Sequence, residues 1–170
     1  MISWQRPPTD WFCLNTDGSV AGAQGSTAGG VIRDEAGRFV RAFSANLGAG
    51  SITYAELAGI AFGLRLAWDE GCRKVKVQTD SATAAQLIHD ATPGHIHFVQ
   101  VATIRELLAR EWEVQIDHVF REGNVVADYL ASVGYSLPVG VHVFENPSPL
   151  LSRWLYFDLL GVQTPRSVII

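Results

Sequence analysis

The chain has 170 residues and a formal net charge of −4, with 48% apolar and 18% charged residues, a composition that excludes a disordered or collagen-like chain and suits one domain with a real core. No apolar run approaches a membrane span, and Met1 to Pro8 lacks the basic cluster and apolar stretch of a secretory leader. The acid excess argues against tight nucleic-acid binding through a basic face, unless the acids gather where bound cations reverse their sign.

After a proline-containing lead-in, Trp11 to Asp17 alternates in polarity and predicts a half-buried strand. Gly18 to Gly29 is rich in Gly, Ala and Ser and reads as a flexible connection. Gly30 to Arg33 and Arg38 to Ser44 form a hairpin about the turn Asp34-Glu35-Ala36-Gly37, and Asn46 to Gly50 reads as a loop. Ser51 opens a helix to about Glu70, with Leu57, Ile60, Ala61, Leu64 and Trp68 as its apolar stripe and Gly71 as its stop. Lys74 to Thr79 alternates as a fourth strand. Asp80 or Ser81 then caps a short helix reaching about His89. Pro93-Gly94 breaks the chain before a helix over Val99 to Glu111. Val114 to Val119 is a fifth strand, and a last core helix runs from near Asn124 to near Gly134. This order predicts an α/β fold: a mixed five-stranded sheet, three antiparallel strands then two parallel crossovers, flanked by helices.

Residues 1–134 are thus expected to form the domain, and 135–170 a proline-containing extension. Within it, Leu150 to Leu160 is apolar on nearly every side, so a short helix there must be covered. Docking on its own domain and self-association or binding of a partner are the two ways to cover it. Cys13 and Cys72 are too few for a disulfide framework and fit buried thiols in a reducing, intracellular setting, nuclear or cytoplasmic.

Four acids stand at marked places: Asp17 ending the first strand, Glu56 early in the first helix, Asp80 ending the fourth strand, and Asp128 in the first turn of the last core helix. Singly, each has a plain reading as a turn former, a wet helix face, an N-cap or a helix-dipole partner. Together, on strands that are natural neighbours, they predict one pocket. Gly59 and Gly63 inside the first helix cost about 1 kcal/mol each relative to alanine. A helix tolerates that when its backbone lies against the sheet, which would hold Glu56 beside the strand ends. Four converging acids repel one another, and divalent cations with oxygen ligands relieve that repulsion.

The stretches LNTDGS around Asp17, YAELAGIAFGL around Glu56, VQTDS around Asp80 and HVFREGNVVADYLA around Asp128 resemble the four motifs of the ribonuclease H family. More narrowly, the chain is similar to plant members related to non-LTR retrotransposons. The resemblance covers about Trp11 to Gly134. It implies an endonuclease cutting the RNA strand of RNA–DNA hybrids, with Asp17, Glu56, Asp80 and Asp128 ligating two Mg²⁺ (or Mn²⁺) ions. It implies that His118 assists proton transfer or product release, and that Gly18, Ser19, Ser51, Thr53 and Asn124 contact substrate. His118 also reads as an ordinary strand-end histidine, Asn124 as a helix cap, and Ser51 and Thr53 as caps. Glu56 and nearby backbone would sense the 2′-hydroxyl that only RNA offers.

The connection His89 to Phe98 lacks any Lys or Arg, whereas some family members carry a basic protrusion there. Weak, salt-sensitive hybrid binding follows. His95 and His97 in that connection have no evident third metal ligand. Two rival readings remain. A proofreading-type exonuclease places an acid two residues after the first aspartate, where this chain has Ser19. A retroelement-derived binding or interaction module would show little catalysis.

Overall fold

A computed structural model describes residues 1–162; residues 163–170 of the expected extension lie outside the described residues. Strands β1 (Phe12–Val20), β2 (Ser26–Arg33) and β3 (Phe39–Gly48) run antiparallel in succession. Helix α1 (Ile52–Asp69) crosses to β4 (Lys74–Thr79), which pairs parallel with β1. Helices α2 (Ala82–Asp90) and α3 (Phe98–Leu108) lead to β5 (Glu113–His118), parallel to β4. Helix α4 (Val125–Val133), strand β6 (Gly140–Phe144) and helix α5 (Pro149–Leu159) follow. The sheet order is β5-β4-β1-β2-β3-β6.

The expected mixed α/β architecture is present, with one correction: the sheet has six strands, not five. The sixth comes from the extension, where β6 pairs antiparallel with β3 from Ala42↔Phe144 to Ala45↔Val141. It is five residues long, and its order comes from β3's free edge rather than from its own alternation.

Two further expectations are overturned. The Gly/Ala/Ser-rich stretch from Gly18 to Gly29 is largely strand, not flexible connection. Its small residues let helices approach. A Cβ on Gly29 would lie 2.3 Å from the Ala131 amide nitrogen of α4. Nor is β1 half-buried, for residues 13–18 are all buried. Its two sides face two different layers. Leu14 joins Leu57, Ile60 and Leu64 of α1 and Val101 and Ile104 of α3. On the other face of the sheet, Val31 and Ala42 meet Val126 and Leu130 of α4 and Leu151 and Leu155 of α5. Alternation of polarity misleads here because Asn15 and Thr16 are polar yet buried.

Local signals elsewhere hold. Asp34 Oδ1 accepts from the amides of Ala36 and Arg38, both at 2.9 Å, and Gly37 takes φ +79° to close the hairpin. Ser51 Oγ accepts from Tyr54 N–H to cap α1, and Gly71, at φ +84°, ends that helix. Ser81, not Asp80, caps α2, which leaves the Asp80 carboxylate for other work. Both cysteines are buried, and burial pushes each thiol up to about 11, as inert structural thiols require.

The apolar helix of the extension docks on its own domain through Leu151 and Leu155, while Leu150, Tyr156 and Leu160 face outward. Arg33, only 1% exposed, fastens it: Nη1 donates to Asp158 Oδ2 at 2.6 Å and Nη2 donates to Asn15 Oδ1 at 2.6 Å. Trp4 of the lead-in stacks on the same guanidinium at 3.7 Å. Burial raises the Asp158 carboxyl's proton affinity even though Arg33 opposes it. Asp158→Ala therefore strands a buried cation and is expected to cost about 3–5 kcal/mol in urea unfolding. A loss under ~1 kcal/mol would show that solvent reaches the guanidinium.

Candidate metal centre

The parallel register of β1 and β4 brings Thr16 opposite Thr79, so Asp17 and Asp80 emerge side by side just past the last paired residues. Glu56 arrives from α1, whose first turns lie directly on β1. A Cβ on Gly18 would come 2.5 Å from the Glu56 amide nitrogen, and one on Gly59 would come 3.1 Å from the Asp17 carbonyl oxygen. The interior glycines of α1 therefore do what their cost implied. Carboxylate oxygens of Asp17, Glu56 and Asp80 lie within 4.8 Å of one another. Asp128 completes the wall of the same cleft, about 320 Å³, with Gly18, Ser19, Val20, Ile52 and Arg121. All four acids thus share one crevice.

Asp128 stands apart from the inner three. Its side chain is 49% exposed, and Arg121 Nη2 lies 3.9 Å from its Oδ1. Helix α4 is set in place by Asn124. The Asn124 amide donates to the Thr16 carbonyl at 2.9 Å, and its Oδ1 accepts from Asn15 Nδ2 at 3.0 Å. That bond ties the start of α4 to the residue before Asp17. It also corrects the cap reading: the Asn124 side chain makes no capping bond to α4, and both its polar atoms are engaged within the core.

Burial raises the Asp17 carboxyl to about 10, with the charges of Asp80, Glu56 and Asp128 adding to it. Burial likewise raises Glu56 to about 8, with Asp80 adding and hydrogen bonds from Asp17 and the Gly18 backbone opposing. Asp80 is raised by burial too, while Asp17 and Arg121 pull it back. Burial and the neighbouring charges thus favour the protonated forms of Asp17, Glu56 and Asp80. Glu56 Oε2 is buried with no hydrogen-bond partner. An orphaned carboxylate oxygen beside two more acids is the donor set of a hard divalent cation, so these residues fit such an ion.

The other expected site residues fall around this crevice. Gly18 N–H donates to Asp17 Oδ1 at 3.0 Å and also favours the Glu56 carboxylate, so it lies between the two acids. Ser19 is half-buried, its hydroxyl 2.7 Å from the Tyr135 hydroxyl. Ser51 is exposed at the α1 cap and Thr53 is half-buried in its first turn. His118 lies on β5 with Nε2 3.2 Å from the Asp80 carbonyl oxygen, but it lines a neighbouring cleft with Gln78 and Phe120. His95 and His97 stand 5.7 Å apart, and neither belongs to a metal-capable cluster among the described residues.

Sequence reasoning missed Arg121 and Asn15. Arg121 sits seven residues before Asp128 in the turn after β5, and only the folded turn shows that it lines the crevice. Asn15 Nδ2 donates to Gln78 at 2.8 Å and its Oδ1 accepts from Arg33. A buried amide bridging β1, β4 and α4 has no sequence signature beyond its place two residues before Asp17.

Gly18→Ala is expected to force α1 off β1 and displace Glu56. The cost is about 1–3 kcal/mol from overpacking, and a rise in Tm on adding Mg²⁺ is expected for the native chain but not for the variant. Thermal melts with and without Mg²⁺ check both parts. An unchanged Mg²⁺ response would show that Glu56 has not moved.

Asp17, expected to end the first strand, instead lies within β1, just past the last residue paired with β4, because β2 carries the strand on to Val20. This sheet order, with Asp17 there and Asp80 just past β4, is the ribonuclease H fold, and solved structures agree. Ribonuclease H1 of Halobacterium salinarum superposes with a TM-score of 0.69 at 23% identity, covering 74% of this chain and 98% of that one. LC11-RNase H1 in complex with RNA/DNA hybrid gives 0.66 at 23% identity, covering 74% and 96%. Residues 15–134 match the reverse transcriptase-like family, and the chain belongs to it. A protein of Arabidopsis thaliana that carries the name ribonuclease H protein is 36% identical over 170 residues. That match covers 99% of this chain but 27% of the relative, so the chain spans about a quarter of the relative's length.

Proposed function

We propose that the chain is an endonuclease that hydrolyses the RNA strand of RNA–DNA hybrids, with Asp17, Glu56, Asp80 and Asp128 holding two Mg²⁺ ions, or Mn²⁺ in their place. The observation that carries this is the meeting of those four carboxylates in one crevice on a ribonuclease H fold, with three of them within 4.8 Å. The relative's name supports the reading, as do neighbours solved with RNA/DNA hybrid, LC11-RNase H1 and the foamy viral protease-reverse transcriptase.

When bound, the ions supply Lewis acidity for generating a nucleophile from water at neutral pH and for shielding phosphate charge. The remaining chemistry belongs to the chain. Asp17 and Asp80, fixed on adjacent strands, set the axis along which the scissile phosphate lies. Glu56, as a carboxylate, would accept a hydrogen bond from a 2′-hydroxyl, which selects RNA. Ser51 and Thr53, at the exposed start of α1, contact the DNA strand, and the Gly18–Ser19 backbone lies along the RNA. His118, exposed beside Asp80, carries a proton between the crevice and solvent. Among the described residues no helix is long and apolar enough to cross a membrane. Two buried free thiols support our placing the protein in a reducing compartment, the nucleus or cytoplasm.

The test is a labelled hybrid incubated with Mg²⁺, beside duplex DNA and duplex RNA of the same sequence. Internal cuts confined to the RNA strand of the hybrid are expected. Stepwise release of single nucleotides would make the chain an exonuclease, and binding without turnover would make it a recognition module.

A further inference from the structure

We infer that Arg121 is a phosphate-binding residue of this crevice, held on Asp128 until a divalent cation takes that carboxylate. The inference rests on the hydrolase reading above and assigns how its site grips an anionic strand.

Arg121 is the one basic side chain on the crevice wall among the described residues. Its base is rigid. It opens the turn Arg121–Gly123, and the Asn124 backbone N–H donates to its carbonyl at 2.9 Å. Asn124 in turn is bonded to Thr16, so the Arg121 backbone is tied to the strand that carries Asp17. Its far end is loose. The side chain is 76% exposed, and its contact with Asp128 is 3.9 Å, too long for a hydrogen bond. A guanidinium on a fixed base with a weak partner can turn to a new anion at little cost.

Metal loading supplies the reason to turn. A cation on Asp128 neutralises the partner of Arg121 and repels its charge, which already reaches Asp80. The anion then within reach is a phosphate of the strand lying over the carboxylates. A guanidinium's planar fork matches phosphate oxygens in pairs, which no other residue on this wall can do. The position also answers a shortage, for His89 to Phe98 offers no Lys or Arg to hold a backbone.

Three measurements on Arg121→Ala and Arg121→Lys test this. In steady-state cleavage of the hybrid, Arg121→Ala is expected to raise KM about tenfold with kcat within about threefold. The slope of log KM against log[salt] should fall by about one. Arg121→Lys should restore the slope and only part of KM, because a point charge replaces a fork. In calorimetry without nucleic acid, Arg121→Ala should bind Mg²⁺ about threefold tighter, since its competitor for Asp128 is gone. An unchanged salt slope, or a fall in kcat with KM intact, overturns the inference. If the wild type cuts no hybrid, the hydrolase reading falls by itself. Equal Mg²⁺ affinity in wild type and variant then overturns the competition for Asp128 as well.

Discussion

Asp80→Asn is expected to abolish Mg²⁺-dependent cleavage, by about a thousandfold or more, while the protein stays folded. Asparagine keeps the shape of the side chain but withdraws one of the charges that fit the cation. A bound metal supplies several kcal/mol of transition-state stabilisation, and each ~1.4 kcal/mol is a factor of ten. The fold should tolerate the change, because burial already disfavours the charged form of Asp80 and its two neighbours on the chain do the structural work. Thr79 pairs with Thr16 and His118, and Ser81 caps α2. Circular dichroism and a melt at pH 7 check the fold. Residual cleavage within tenfold of wild type would remove Asp80 from the centre. Equal, negligible turnover by both proteins would favour the recognition module.

Without divalent cations, the protein is expected to lose stability as pH rises from about 5 to 8, by about 5–10 °C in Tm, and Mg²⁺ is expected to reverse the loss. Asp17 moves from 3.8 unfolded to about 10 folded, and Glu56 from 4.5 to about 8. Both folded values lie above the unfolded ones, so across that window the native state binds more protons. Stability is then fully present below pH ~4 and falls as pH climbs toward the folded values. Cations that bind the ionised carboxylates of the native chain alone restore it by mass action. Asp17→Asn should flatten the pH profile and blunt the response to Mg²⁺ in the same melts. A metal-free Tm that stays level from pH 5 to 8 would mean that the three acids do not crowd one another in solution.

The carboxylate centre was legible because local chemistry marks its parts. Asp17 is followed by a glycine that lets α1 approach, Asp80 precedes a serine cap, and Glu56 shares a helix with two glycines that make sense only against a sheet. The place of Asp17 inside β1 rather than at its end was not legible, because β2 extends the strand to Val20. The elements were misjudged where packing overrides pattern. Ser26 to Gly29 lacks bulky residues because α4 lies on it, so a buried strand looks like a linker. Strand β6 has too few residues to declare itself and exists because β3 offers an edge.

What the sequence determined by itself was the order of strands and helices, the caps and turns that bound them, and four acids placed to meet. These depend on neighbours a few residues apart, where propensity and hydrogen bonding act within one segment. Only the tertiary structure decided that the extension adds a strand and buries Leu155, that Arg33 joins Trp4 to Asp158, and that Asn124 belongs to the core while Arg121 faces Asp128. Those contacts join segments far apart in the chain, and which pairs form is settled by shape, burial and charge when the two layers close on the sheet.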